Sequence, residues 1–396
     1  MGVNQLAQLG YVYKVTEYQK LKGQYKINSI QMTINKFGIL KTTMFLLVVN
    51  LLLSCSPAHK RNNEASRWTE EQALEWGKKT GWLRGSNFNP STAINQLETW
   101  QAESFDTVTI DRELGWAEGL GLNVMRVYLH HLAWEVDQAG FKKRLNTYLT
   151  ISSSHGIKTA FVFFDDCWNP TYKAGKQPDP KPGVHNSGWV RDPGDLFYSD
   201  TTLIITLEGY VKDILSTFKN DQRIAFWDLY NEPGNSGYGV KSLPLLKKAF
   251  EWGRDINPSQ PLSSAVWSIN LKELNKFQIE NSDIITYHNY ENPEKHKAAI
   301  DTLKKYNRPI VCSEYMARRN NSLFNNIMPL LKLNNIGAIN WGLVSGKSNT
   351  KYAWDEPIAD GSEPKLWFHE IFRTDGTPYK QEEVDIIKLL TSDVKK

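Results

Sequence analysis

At 396 residues and 40% hydrophobic content, the chain has enough apolar material for a large core, and this excludes a disordered protein. The formal net charge of +4 sits at the start: residues 1–55 hold six Lys and one Glu, a net +5 that leaves −1 for the rest. A near-neutral body without a basic patch excludes nucleic acid as partner, and 14 Trp, several in loop-like stretches, point instead to flat apolar platforms or loop clamps.

The first informative stretch is the apolar run Met44 to Leu53, preceded by a basic segment with Lys36 and Lys41 and followed by polar residues from Ser56. It is too short to span a bilayer and fits the apolar region of a secretory signal. Its ending, Leu51-Leu-Leu-Ser-Cys55, resembles the lipobox of bacterial lipoproteins. That resemblance implies a lipid anchor on Cys55 and a secreted lipoprotein of the cell envelope, at the outer membrane or cell surface; the alternative is an ordinary signal peptide with a chance cysteine. Residues 1–43 are longer than a normal basic leader, so a start at Met32 or Met44 is expected. Residues 56–68 are polar and charged, as suits a tether.

From residue 69 onward the chain alternates. A helix is expected at Thr69 to Lys79, with Thr69 as cap and Glu70 and Glu71 in the first turn. Trp82 to Phe88 reads as a strand, Ile110 to Leu120 as a helix stopped by Gly121, Asn123 to Leu129 as a strand, Phe141 to His155 as a helix, and Lys158 to Phe164 as a strand. Asp165 to Ser199, rich in Pro, Gly, Asp and Trp, reads as a long irregular loop, and such a loop is usually functional. Helix Thr201 to Lys219 leads into Phe226-Trp-Asp-Leu-Tyr-Asn-Glu-Pro233, an apolar strand that presents a carboxylate where proline ends the pairing. Helix Ser242 to Asn257, strand Pro261 to Trp267, strand Asp283 to Tyr290, helix Pro293 to Tyr306, strand Pro309 to Tyr315, helix Asn321 to Asn334, strand Gly337 to Gly342 and a last helix around Pro364 to Phe372 complete the series.

Eight strands alternating with helices predict an α/β fold, a (β/α)8 barrel forming a single catalytic domain over residues 69–396. The competing doubly wound sheet would show a Gly-rich turn after its first strand, and none follows Phe88. In a barrel the C-terminal strand ends share one face, so Gly85, Asn87, Arg126, Asp165, Glu232, His288, Tyr290, Glu314 and Trp341 are expected to converge.

Glu232 and Glu314 end strands four and seven, which face each other across the barrel mouth. Hydrolysis of a glycosidic bond with retention needs one carboxyl that gives and later takes a proton, and one carboxylate that attacks the sugar carbon. Separately, each Glu could simply bind a loop amide or an Arg. Trp227-Asp-Leu-Tyr-Asn-Glu-Pro233 resembles the Asn-Glu-Pro signature of clan A glycoside hydrolases, retaining barrel enzymes of the cellulase, mannanase and xylanase kind. The resemblance spans roughly Trp82 to Tyr379. It implies Glu232 as acid/base, Glu314 as nucleophile, Asn231 bonded to the sugar 2-hydroxyl, Arg126 holding the nucleophile ionised, His288 and Tyr290 flanking it, and Trp341 flooring the reacting sugar. Arg126 as a plain ion pair, and His288 and Trp341 as core residues, are the alternatives.

The chain departs from cellulase-like members after strand three, where Phe163-Phe-Asp-Asp-Cys-Trp168 lacks a His, so Asp165 or Asp166 is expected in that hydrogen-bonding role. Trp168, Trp189 and Trp354 are either sugar-stacking platforms or loop anchors. No metal-ligand cluster or nucleotide fingerprint is evident, so no metal or cofactor is expected, and His130-His131 reads as structure or cleft lining. Cys167 and Cys312 are expected as free buried thiols, with a disulfide between them as the alternative if the fold brings them together. The reading is therefore a monomeric glycosidase cleaving a β-linked poly- or oligosaccharide, a β-1,4-glycan such as xylan, mannan or glucan favoured. A glycan-binding lipoprotein without turnover and a transglycosylase are the rivals.

Overall fold

A computed structural model gives residues 66–392. Residues 1–65, with Cys55 and most of the tether, and residues 393–396 lie outside the described residues. Among the described residues no helix is long and apolar enough to cross a membrane.

Eight parallel strands form the centre: β1 (Arg84–Asn87), β2 (Val124–Tyr128), β3 (Lys158–Asp165), β4 (Ile224–Asn231), β5 (Leu262–Ser263), β6 (Ile285–His288), β7 (Ile310–Glu314) and β8 (Gly337–Trp341). Their order is β5-β4-β3-β2-β1-β8-β7-β6. The ring closes between β5 and β6, where Val266 bridges Tyr287 and the hydroxyls of Ser263 and Thr286 lie 2.7 Å apart. This is the (β/α)8 barrel. The principal helices are α1 (Glu70–Thr80), α2 (Thr107–Gly119), α3 (Gln138–Ser154), α4 (Leu203–Phe218), α5 (Leu243–Ile256), α6 (Lys272–Asn281), α7 (Pro293–Leu303), α8 (Ile327–Leu333) and α9 (Gln381–Ser392).

Both faces of the strands are dry, which is why β2 and β4 are buried along their whole length. Trp227 and Leu229 of β4 belong to the large cluster between sheet and helices, whereas Phe226 lies inside with Val124, Ala160, Val311 and Ile339. Trp76 of α1 packs against that inner plug. The start of α1 is fixed by a reciprocal cap, with the Gln72 N–H donating to Thr69 Oγ1 and the Thr69 N–H to Gln72 Oε1. A second inner layer of Tyr128, Val162 and Trp189, with Trp168 and Trp341 against it, carries the barrel mouth. Strand register then sets neighbours at that mouth: Asn87 aligns with Arg126 and with Trp341, Asp165 with Asn231, and a register shift after Tyr287 puts His288 beside Glu314.

Three elements differ from expectation. Pro364 to Phe372 is irregular rather than helical, because the Arg318 guanidinium takes the carbonyls of Trp367, His369 and Glu370, the acceptors a helix would need. The final helix is α9 instead. Of the stretch Pro261 to Trp267 only Leu262–Ser263 pairs as a strand. The helix expected from Asn321 begins at Ile327, because Asn321 adopts φ +58° and Ser322 bridges back to Ala317.

Candidate active site

Glu314 closes β7 with its side chain 5% exposed. Its Oε1 accepts from Arg126 Nη1 at 2.8 Å and lies 2.9 Å from the Tyr128 hydroxyl, while its Oε2 accepts from the Tyr290 hydroxyl at 2.8 Å. Arg126, wholly buried on β2, also donates to Asp228 through Nε and Nη2, to Asn231 Oδ1 at 2.7 Å and to Asn87 Oδ1 at 2.7 Å. One guanidinium thus ties together the ends of β1, β4 and β7. Its fixed fork suits that task better than an ammonium would.

Glu232 stands one residue beyond β4 with φ +43°, a backbone region that residues other than glycine seldom adopt. The turn is anchored from beneath by Asp166, whose carboxylate accepts from the Gly234 N–H at 2.7 Å, the Tyr230 hydroxyl at 2.7 Å and the Ser242 hydroxyl. Glu232 Oε1 lies 2.8 Å from His288 Nδ1; Oε2 accepts from the Asn235 amide and lies 3.4 Å from Cys167 Sγ. One oxygen of each carboxylate and a ring nitrogen of His288 all lie within 4.8 Å of one another.

Above them opens a cavity of about 1220 Å³, lined among others by Asp165, Trp168, Asn231, Glu232, His288, Tyr290, Glu314 and Trp341. Arg126 sits beneath Glu314, out of reach of a ligand. Asn87 is not brought to the cavity, which corrects the expectation that it meets substrate: its amide donates to Ser313 O at 2.8 Å and Asn340 O at 3.2 Å, and its oxygen serves Arg126. Asp165 lines the cavity with both oxygens engaged, by Asn231 Nδ2 at 2.9 Å and Trp189 Nε1 at 2.7 Å, so it orients Asn231. Asp166 points away, into the β4 turn. Trp189 and Trp354 both line the cavity: Trp189 is almost fully buried with its Nε1–H held by Asp165, whereas Trp354, on Tyr290 and Phe368, is 36% exposed at the rim.

Tyr128, Asp228, Asn235 and Cys167 were not singled out by sequence reasoning as parts of this network. Tyr128 and Asp228 occupy strand positions indistinguishable from core, although an Asp inside an apolar strand is a signal for a buried cation. The free thiol of Cys167 becomes significant only through its proximity to Glu232. Cys312, within β7, is free and buried.

Burial pushes both carboxyls above the ordinary range. Arg126 opposes that rise on both; Glu314 is in direct contact with the guanidinium and also accepts from the Tyr290 hydroxyl, whereas Glu232 has the Asn235 amide, the Cys167 thiol and His288 Nδ1 beside it. The direct contact with Arg126 at 2.8 Å, which Glu232 lacks, favours Glu314 as the carrier of a single negative charge shared by the pair. Burial pushes His288 down to about 4, so near neutral pH it is an uncharged hydrogen-bonding partner.

Among the described residues, two clusters have ligand types and spacing that could hold a metal. Glu314 in the first already has Arg126 as its cation. In the second, His130, His131 and Asp192, the ring nitrogens are engaged by the Leu132 N–H, Arg191 O, Asp192 and Tyr172, which makes it a structural network.

Residues 200–331 match the family model described as the TIM barrel domain of glycosyl hydrolases family 2, a stretch that contains both Glu232 and Glu314. The fold is that of a glycoside-hydrolase barrel. A GH5_18 protein from Streptomyces cattleya, solved with GlcNAc, superposes with TM-score 0.56 at 10% identity over 79% of this chain and 80% of that one. A GH5_18 variant from Bifidobacterium longum, solved with Manb1-4GlcNAc, gives 0.54 at 13% identity, with coverage of 80% and 79%. An endo-beta-1,4-mannanase from Thermotoga petrophila gives 0.51 at 15% identity, with 80% and 77% covered. No curated protein sequence matches the chain.

Proposed function

We propose that the protein is a retaining glycoside hydrolase of the clan A type, acting on a β-linked poly- or oligosaccharide by double displacement. The observation that carries this reading is the approach of the two carboxylates: oxygens of Glu232 and Glu314 lie within 4.8 Å. Retention uses carboxyls roughly 5–5.5 Å apart, whereas inversion needs about 6.5–9.5 Å to admit a water.

Glu314, ionised against Arg126, attacks the anomeric carbon. Glu232 passes its proton to the departing glycosidic oxygen, the C1–O bond breaks, and the sugar is held as an ester on Glu314. That esterification removes the neighbouring charge, so Glu232 gives up protons more easily and deprotonates the water that releases the sugar. Asn231, aimed by Asp165 and Arg126, is the donor for the hydroxyl next to the reacting carbon. Trp341 and Trp168 supply aromatic faces for the apolar face of the sugar ring. The mannose-containing ligand and the mannanase among the similar structures make β-manno probes the first choice. The proposal keeps the lipid on Cys55 and a place in the cell envelope, which incorporation of labelled fatty acid lost in Cys55→Ala would test.

The deciding experiment is intact mass measurement after incubation with 2-deoxy-2-fluoro glycosyl fluorides of manno, gluco, xylo and galacto configuration. An adduct mapped to Glu314 is expected. An adduct on Glu232 would reverse the roles, and turnover of a glycoside without any adduct would remove the covalent mechanism.

A further inference from the structure

The cavity over the two carboxylates is closed on one side. The segment after β3 and the segment after β8 are laced together backbone to backbone: the Asn186 N–H donates to Ser348 O at 2.9 Å and the Ile358 N–H to Gly183 O at 3.0 Å. Side chains add to the seam, with Asn349 Nδ2 donating to Lys181 O at 3.1 Å and His185 Nδ1 lying 2.8 Å from Tyr352 O. At Gly183, φ +73°, a Cβ would meet Ile358 O at 1.8 Å, so only glycine lets the two chains come this close.

Both segments are pinned in turn to the one after β1. The Lys347 N–H donates to Ser91 O at 3.0 Å, and Asn95 Nδ2 to Gly188 O at 2.8 Å. The result is a wall behind Trp341 that spans the mouth from β8 to β3. Trp168 packs on His185 within it, at 5.2 Å between ring centroids. Asn186, also lining the cavity, has a buried Oδ1 without a partner among the described residues.

The opposite side is open. There the lining continues past Glu232 through Trp267 and Ile269 to Lys295 and Thr302 of α7. Trp267 donates its Nε1–H to Pro233 O at 3.1 Å, which holds the ring beside the Glu232 turn, and Ile269 is 85% exposed.

The following rests on the retaining-hydrolase reading. Glu232 protonates the leaving oxygen, and the Trp267 ring is tied to Pro233 directly after it, so the leaving portion lies toward Trp267 and Ile269. The sugar that is attacked lies over Glu314 and Trp341, and immediately beyond it stands the wall. We propose that the enzyme acts on chain ends: the walled side admits one non-reducing terminal sugar, which is released as a monosaccharide while the remainder departs across Trp267 and Ile269. Water supplies the hydroxyl to C1 and a proton, by way of Glu232, to the leaving oxygen, so each turnover shortens the chain by one residue.

The test uses manno-, cello- and xylo-oligosaccharides reduced at their reducing ends, the corresponding polysaccharides, and nitrophenyl β-monosaccharides, with products followed from the earliest times. Expected are a monosaccharide as the sole initial sugar released, a reduced fragment shorter by one, hydrolysis of one nitrophenyl monosaccharide, and unchanged polysaccharide viscosity. Early fragments of mixed length with falling viscosity would overturn end-wise action and leave the hydrolase reading standing. Absence of hydrolysis across the panel, together with no fluoroglycoside adduct, would overturn both.

Discussion

Arg126 Nη1 lies 2.8 Å from Glu314 Oε1, between residues 188 positions apart in the chain and in a pair whose side chains are 0% and 5% exposed. A buried charge pair of this kind gives little net stability compared with an apolar pair, yet breaking it leaves a charge without compensation. Arg126→Gln strands both Asp228 and Glu314, and is expected to destabilise the fold by about 3–5 kcal/mol. Urea unfolding measures this. Arg126→Lys should rescue little, since one ammonium cannot reach the ends of β1, β4 and β7 together; recovery of wild-type stability by the lysine variant would disprove the bracing role.

Glu232→Gln keeps the shape of the site and removes its transferable proton. Cleavage of substrates with poor leaving groups should fall by about 10²–10⁴. Dinitrophenyl glycosides, which need no acid, should retain fast bond cleavage with slow release of the sugar, seen as a burst. Equal losses on good and poor leaving groups would argue against Glu232 as the acid.

The rate should depend on pH as a bell, with Glu314 protonation on the acid side and Glu232 deprotonation on the alkaline side. Burial pushes both carboxyls up, so the active range lies above that of two ordinary carboxylates. Tyr290→Phe removes a donor from the Glu314 carboxylate, which weakens the charged form. The acid limb of kcat/KM should therefore move upward by about one pH unit, with the alkaline limb nearly still. A shift confined to the alkaline limb would assign Tyr290 to the other carboxylate.

Glu370 is 1% exposed; one oxygen accepts from the Thr350 hydroxyl and the other has no partner among the described residues. Burial pushes it up to about 8 from an ordinary 4.5. Between those values the folded protein keeps a proton that the unfolded chain has released, so stability falls as pH rises. Glu370→Gln should match the native protein near pH 5 and exceed it at pH 9 by on the order of a few kcal/mol. Asp166, pushed up to about 7, retains its own share of the slope. Identical Tm differences at the two pH values would show that Glu370 does not keep its proton on folding.

Some of this protein is written in local order alone. Alternating apolar runs and helices specify a barrel because parallel strands need crossovers and eight of them close, and Asn231-Glu232-Pro233 and Glu314 mark strand ends because an acid can terminate a buried strand only where solvent begins. Other features depend on which strands become neighbours. Asn87 reads like a site residue and lies behind Arg126, while Tyr128 reads like core and touches Glu314, because the direction of a strand-end side chain is set by barrel tilt and register. The segment Pro364 to Phe372 has a helical look that the distant Arg318 overrides by taking its carbonyls. The wall formed by the segments after β3 and β8 is likewise a tertiary fact: hydrogen bonds such as Asn186 to Ser348 join backbone groups that any residue carries, so no local pattern announces them, and only the folded barrel brings them within reach.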